Sequence, residues 1–362
     1  MSFEIIANGR GITPDWMTAV LRSSDTIDAA TEVTAVQSQD LAASGGLLSE
    51  LFRVTMTYEG GQGPATAVVK LPIDDETQRF TADVLGFYAR ELAFYDQIAP
   101  GAPFNAPAIY GSRIAEDSTD FVLVMEDAGG LRTVDQREGV SLDDARTALS
   151  KMAEFHAQWW EHGDIPALSS TFLPIRNDVY IAALPGVFDG GWAATIEHAG
   201  DLLTPETHAF GDRFGTLVPW LLDEMSTPAT FVHGDWRSDN VFYGDDDAVT
   251  MIDFQISGFG CGVYDVAYFL GQSVDSDVRA GNDQDLVRHY LSVLAENGVD
   301  YSFEEAWHKY KVVLSHCFIY GVSSFASWEH WNERQRELIR TILARSVRSI
   351  MDNDALSALP AT

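Results

Sequence analysis

Four polar residues stand at spacings that chemistry can use. His233, Asp235 and Asn240 lie in FVHGDWRSDNVFY (231–243), and Asp253 lies in VTMIDFQ (249–255). Two β-like runs, ATFV and VTMI, carry the chain to these residues, and YGDDDA (243–248) is a turn signal between them. Asp235 follows His233 by two positions and precedes Asn240 by five, and Asp253 comes thirteen later. The chemistry this set suits is phosphoryl transfer to a hydroxyl. Such a transfer needs a carboxylate beside the attacking oxygen to orient it and accept its proton, a role for Asp235. It also needs a cation held against the leaving phosphates. Mg²⁺ takes oxygen ligands and keeps several waters, so the Asn240 amide and the Asp253 carboxylate suffice. A tight hairpin between 240 and 253 is expected to bring them together. His233 reads as a brace for the loop rather than an acid or base. The competing reading, chance polar residues on a β-turn, leaves the flanking apolar runs without explanation.

The H-x-D-x-x-x-x-N spacing followed by Asp-Phe is that of kinase catalytic machinery, which asks for further parts. A lysine on an inner strand should reach the phosphates, and Lys70 ends the apolar run AVVK. A buried lysine needs a partner, and Glu91 in the next helical stretch is the natural one, with Glu76 as the weaker alternative. Gly45 and Gly46 in ASGGLLSELF (43–52) occupy the place of a phosphate-covering loop, without the full glycine spacing. VMEDAGG (124–130), with Met125, Glu126 and Ala128, sits where backbone groups could bind adenine, or where a plain linker runs.

These residues need a frame. ITPDWMTAVLRSS (12–24) predicts a helix capped by Thr13 with Pro14 in its first turn. TEVTAVQSQ (31–39), ELFRVTMTY (50–58) and ATAVVKLP (65–72) read as strands, the last two split by the turn EGGQGP. A helix is expected over roughly 76–97, then strands at PAIYGSRIA and DFVLVMEDA. Beyond AGG (128–130) the pattern turns helical: 141–162 with Ser141 as cap, then 205–225, 283–297, 303–328 and 332–353. The only β-like runs there are the two that carry the motif. The expectation is an α+β chain with two lobes and a cleft between them. Residues 1–127 form a small nucleotide-binding lobe, a five-stranded antiparallel sheet plus one inserted helix. Residues 128–362 form a larger, mainly helical lobe carrying the catalytic loop and the acceptor site.

The 362 residues include 54 acids and 23 bases, a net charge of −31. Such a chain repels nucleic acid and anionic membrane, so neither is an expected partner. The excess fits solubility, a salty habitat or a cationic substrate, and charge alone does not choose. The longest unbroken apolar runs, such as FVLVM, are far shorter than a membrane helix, and the N-terminus has no secretory pattern. Two cysteines, Cys261 and Cys317, fit a reducing cytoplasm. A monomer or homodimer is expected.

VHGDWRSDNVFY…MIDFQISGFGCGVYDVAYFL resembles the aminoglycoside phosphotransferase and choline kinase superfamily. IDFQ and GVYDVAYFL look most like its ecdysteroid kinase-like branch and that branch's bacterial relatives. FYARELAFYDQIA, FVLVMEDAG and KMAEFHAQWW are similar too, so the resemblance runs from about 40 to 350. It implies a bilobal protein-kinase-like fold, ATP with Mg²⁺, and a small hydroxylated acceptor. Carried over, Asp235 is the catalytic base, Asn240 and Asp253 bind metal, and Lys70 binds the α/β-phosphates. Asp265 is implied to be a structural acid holding the catalytic loop. Gln255 replaces the glycine that follows Asp-Phe in protein kinases, and no activation segment follows, which argues against a protein kinase.

The implied acceptors range from sterols to amino alcohols, sugars, antibiotics and hydroxyacyl compounds, with the tryptophans weighing against aminoglycosides. Trp328 and Trp331 with Glu329 and Glu333, and Trp159, Trp160, Trp192 and Trp236 elsewhere, could wall a site for a quaternary ammonium or a flat apolar molecule. Tryptophans that pack helices together are the alternative. Against an ATP-dependent small-molecule kinase stand a catalytically silent nucleotide-binding pseudokinase and a metal-dependent phosphohydrolase.

Overall fold

A computed structural model describes residues 3–41, 49–74, 79, 82–116 and 120–360. The chain divides into two compact units. The first holds Met1–Arg132 with Thr250–Gln255, and the second holds Thr133–Val249 with Ile256–Thr362.

The first unit is built on a five-stranded antiparallel sheet of order β1-β2-β3-β5-β4. Its strands are β1 (Glu32–Asp40), β2 (Ser49–Glu59), β3 (Thr66–Pro72), β4 (Ile109–Ile114) and β5 (Phe121–Glu126). Helix α1 (Pro14–Ser23) starts as expected, with the Thr13 hydroxyl accepting from the Trp16 N–H and Pro14 in the first turn. Its Met17, Val20 and Leu21 are buried with Val33, Val54, Val69, Leu71, Val122 and Val124 of the sheet. The helix expected over 76–97 is interrupted. Gly86, at φ +66°, interrupts it, because a left-handed residue cannot sit inside a right-handed helix. Helix α2 (Phe87–Ala93) follows, and Phe94–Ile98 continues it as a π turn. Residues 75–78, 80 and 81 lie outside the described chain.

The second unit is mainly helical. Its principal helices are α3 (Leu142–Trp159), α4 (Asp178–Ala199), α5 (Pro205–Gly211), α6 (Phe214–Glu224), α7 (Val263–Ser273), α8 (Asp283–Glu296), α9 (Phe303–His316), α10 (Phe318–Ser323) and α11 (Glu333–Asp352). Ser141 caps α3 by accepting from the Asp144 N–H. The single helix expected over 205–225 is two, and 303–328 likewise breaks at Cys317. Helix α4 was not expected, because Pro185, Gly186, Gly190 and Gly191 interrupt the pattern. Gly191 is small for a reason: a Cβ there would lie 2.1 Å from the Val322 carbonyl, so the glycine lets α4 and α10 approach. By length and composition alone, Asp178–Leu202 is apolar enough to cross a membrane, although no single unbroken run in it is long.

The strands of this unit also exceed expectation. Besides β6 (Ala229–Val232) and β7 (Val241–Tyr243), and β8 (Val249–Met251), which begins at the last residue of this unit before Thr250 and continues in the first, Gly258–Cys261 forms β9, antiparallel to β6. GFGC has no alternation to betray a strand, because all four residues are buried and two are glycines. The glycines admit close neighbours: a Cβ on Gly258 would meet the Leu173 carbonyl at 2.1 Å.

Candidate active site

In the first unit, the sheet presents Lys70 from β3, an inner strand paired on both sides. The residue is 4 % exposed. Its ammonium donates to Glu91 Oε1 of α2 at 2.9 Å and lies 2.7 Å from Oε2. It donates equally to Asp253 Oδ1 at 2.9 Å. Burial alone would drive the Lys70 pKa down, but the Asp253 and Glu91 carboxylates outweigh it and hold the ammonium above its ordinary value. Glu91 is pushed up to about 6, first by burial and then by the Asp253 charge, with Lys70 opposing. One lysine thus serves two acids. Glu91 takes the role expected of it.

Asp253 has φ +70°, a left-handed backbone that aspartate tolerates and most residues do not. Its neighbour Phe254 is fully buried and anchors it. The Phe254 ring stacks on Phe94 at 3.4 Å and 7°, lies parallel to Phe104 at 6.0 Å, and meets Tyr95 edge-on. The π turn after α2 is what brings Phe94 and Tyr95 to it.

The junction segment is pinned as well. Arg53 of β2 grips Asp127 with two hydrogen bonds, Nε to Oδ2 at 2.8 Å and Nη2 to Oδ1 at 3.1 Å. Burial would raise the Asp127 pKa, but Arg53 and the Gly129 N–H hold it below the ordinary value. Met125 is buried between β3 and β4, Glu126 is exposed, and Ala128 opens a short 3-10 turn. The Glu126 N–H is already given to the Ala108 carbonyl, and the Ala128 carbonyl accepts from Leu131. Gly45 and Gly46 lie outside the described residues.

In the second unit, β6 delivers the loop that carries Asp235. Asp265, on α7 and fully buried, accepts from the His233 N–H at 2.7 Å and the Gly234 N–H at 3.0 Å. Its Oδ2 also meets His156 Nε2 of α3 at 3.1 Å, and His156 Nδ1 meets the Tyr290 hydroxyl of α8 at 2.9 Å. This is the loop-holding role implied for Asp265. Gly234 has φ +83°, and a Cβ there would lie 2.6 Å from the Ile256 carbonyl, so only glycine fits. His233 braces the loop, its Nδ1 accepting from the Asp235 N–H at 3.2 Å.

The Asp235 carboxylate, about one-sixth exposed, is surrounded by donors. Arg237 Nε and Asn240 Nδ2 each reach Oδ2 at 3.1 Å, and the Tyr268 hydroxyl reaches Oδ1 at 2.6 Å. The Asn240 nitrogen also donates to the Asp235 carbonyl at 3.0 Å. That orientation commits the nitrogen and leaves the amide oxygen to a different ligand. The loop continues into a 3-10 turn, where the Ser238 N–H donates to Ser273 Oγ and Asp239 accepts from Gln136 N–H and Arg237. The turn after β7 is closed by the Gly244 N–H to the Ala248 carbonyl at 2.8 Å.

The structure therefore assembles Lys70, Glu91 and Asp253 in the first unit, and Asp235 and Asn240 in the second. Sequence reasoning missed Tyr268, Arg237 and His156. Tyr268 had a signal: it follows Asp265 by three, one turn along the same helix face.

The tryptophans pack. Trp236 is fully buried, Trp159 lies against Phe231 and Phe259, and Trp192 against Phe188 and Phe318. Trp160 meets Tyr301, Trp328 stacks with His198 and Phe325, and the Trp331 N–H is held by the Ser324 carbonyl.

No curated protein sequence matches the chain. Solved structures do match in fold. An ethanolamine kinase from Plasmodium vivax is 12% identical, covering 90% of this chain and 85% of its own, with TM-score 0.58. A choline kinase from Cryptosporidium parvum Iowa II is 14% identical over 94% and 95%, with TM-score 0.53. An amicoumacin kinase, solved with AMP-PNP and Ca²⁺, is 13% identical over 90% of each chain, with TM-score 0.53. The fold is the kinase-like one of these neighbours. A sequence profile described as the phosphotransferase enzyme family (APH) matches residues 57–307. With a profile covering most of its length, this chain belongs to the phosphotransferase enzyme family and acts on hydroxyl groups.

Proposed function

We propose that the protein transfers the γ-phosphoryl group of ATP to a hydroxyl of a small molecule. The observation that carries this reading is the Asp235 loop, a carboxylate fixed by Asp265 below it and directed by donors around it. Asp235 would orient the acceptor hydroxyl and take its proton. Lys70 would turn from its two acids toward the α- and β-phosphates. Met125, Glu126 and Ala128 supply the backbone neighbourhood for the base.

The donor chemistry fits a divalent cation. Asp253 offers a carboxylate and Asn240 an amide oxygen, both hard ligands suited to Mg²⁺. Among the described residues, no group of three or more His, Cys, Asp or Glu is arranged to hold a metal. A cation bound here would take its remaining ligands from phosphate and water, and would neutralise charge on the leaving phosphates.

The acceptor is proposed to be a small hydroxylated metabolite or xenobiotic, sterol-like molecules and amino alcohols included. IDFQ and GVYDVAYFL support placement in the ecdysteroid kinase-like branch. The net charge of −31 supports a partner set without nucleic acid or anionic membrane, and two unpaired cysteines support a cytoplasmic setting. The test is Asp235→Ala, assayed with Mg·ATP and a panel of alcohols. Transfer should fall by about 10³-fold while ATP affinity stays within about twofold. Full transfer by that variant would remove Asp235 from the chemistry. Tight ATP binding by the unaltered protein, with no acceptor turned over, would favour a pseudokinase.

A further inference from the structure

We infer that Tyr268 is a positioning residue for the catalytic carboxylate, fixing by its hydroxyl which oxygen of Asp235 faces the acceptor. The inference rests on the kinase reading and deepens it. The Tyr268 hydroxyl donates to Asp235 Oδ1 at 2.6 Å, shorter than either contact to Oδ2. A short bond to a carboxylate is the strong, charge-assisted kind.

Tyr268 can hold a direction because it is itself held. It is 6 % exposed, stands parallel to Tyr264 at 6.3 Å, and meets Tyr320 edge-on at 4.9 Å. Tyr264 and Tyr320 are joined through their hydroxyls, which ties α7 to α10 behind the ring. Burial first, and then the Asp235 charge, keep the Tyr268 hydroxyl protonated, so it remains a donor.

The placement on α7 explains the geometry. Asp265 and Tyr268 are three apart, so they share a helix face. One turn of α7 therefore grips the loop twice. Asp265 fixes the backbone at 233 and 234, and Tyr268 fixes the side chain at 235. Arg237 and Asn240 reach Oδ2, and both come from the same loop as Asp235. Asn240 moves with that loop and Arg237 reaches outside it through a 3.3 Å contact to Gln136 Oε1, whereas Tyr268 refers the carboxylate directly to a separate, buried helix.

The experiment compares Tyr268→Phe with Tyr310→Phe. Tyr310 donates to the buried Asp283 at 2.6 Å, so its variant loses a similar hydrogen bond elsewhere in the unit. With Mg·ATP and an alcohol panel, phosphate release to water included, Tyr268→Phe should lower kcat about 10- to 100-fold. Its KM for ATP and its thermal midpoint relative to Tyr310→Phe should stay put. Tyr310→Phe should keep kcat.

Unchanged kcat in Tyr268→Phe, with Asp235→Ala inactive, would overturn this inference alone. An inactive unaltered protein, or an active Asp235→Ala, would overturn the kinase reading and the inference with it.

Discussion

The candidate residues of the two units are held by opposite means. Around Lys70 the partners are full charges, one ammonium against two carboxylates. Around Asp235 the frame is mostly neutral: two backbone N–H groups on Asp265, a tyrosine hydroxyl and an amide on Asp235, with Arg237 the exception. The contrast suits the proposed function. On that reading Lys70 and Asp253 would exchange partners when phosphate and cation arrive, and ion pairs can be traded for others of like sign. Asp235 would have to stay in place, and bonds to backbone and a buried helix do not trade.

The sharpest break of this contrast is Asp265→Ala. It strands two loop N–H groups and His156 without an acceptor inside a buried region. Stability should fall by about 3–5 kcal/mol, with transfer lost, read by denaturant unfolding and assay. Retained activity at normal stability would show that the loop is held by something else.

Lys70→Met comes next. It removes the cation from two carboxylates, one of them fully buried, so about 3 kcal/mol of stability should go. The kcat/KM for ATP should fall about 100-fold. If stability falls and ATP kinetics do not, the lysine serves only its acids.

How far the sequence carries this picture depends on the kind of interaction. Asp235, Asn240 and Asp253 could be picked out as candidates because metal and proton chemistry restrict residue type and spacing. The sheet was legible because its strands are β-rich runs, with β2 and β3 split by the glycine- and proline-bearing turn EGGQGP. Lys70 and Glu91, 21 positions apart, were found only by asking what a buried charge requires. What escaped was set by neighbours: α4 hides behind Pro185 and three glycines, and β9 has no polar alternation to show. Tyr268 and His156 escaped because an aromatic in an apolar run reads as core until its partner is known. The tryptophans show the reverse, residues with chemical promise whose contacts are packing.

The smallest effect separates the halves by pH. The folded Glu91 pKa lies above its ordinary 4.5, at about 6. Its contribution to stability is therefore greatest below 4.5 and is lost as pH rises through 6, a difference of about 2 kcal/mol. For function the sign is opposite. Between pH 7 and 5 Glu91 gains a proton and loosens its hold on Lys70, so kcat/KM for ATP should drop roughly tenfold. Glu91→Gln should start lower and lack that limb. An identical limb in the variant would assign it to a different group.

Thr250–Gln255 belongs to the first unit, although its neighbours on both sides belong to the second. The first unit is consequently not a segment that can be cut out of the gene. A fragment ending at Arg132 would leave Phe94 and Phe104 facing a missing Phe254, and Lys70 with one acid instead of two. The six residues act as a stitch passed back through finished cloth. Their consequence is for inheritance: Lys70 and the Asp253 segment it pairs with can be gained, lost or transplanted only together.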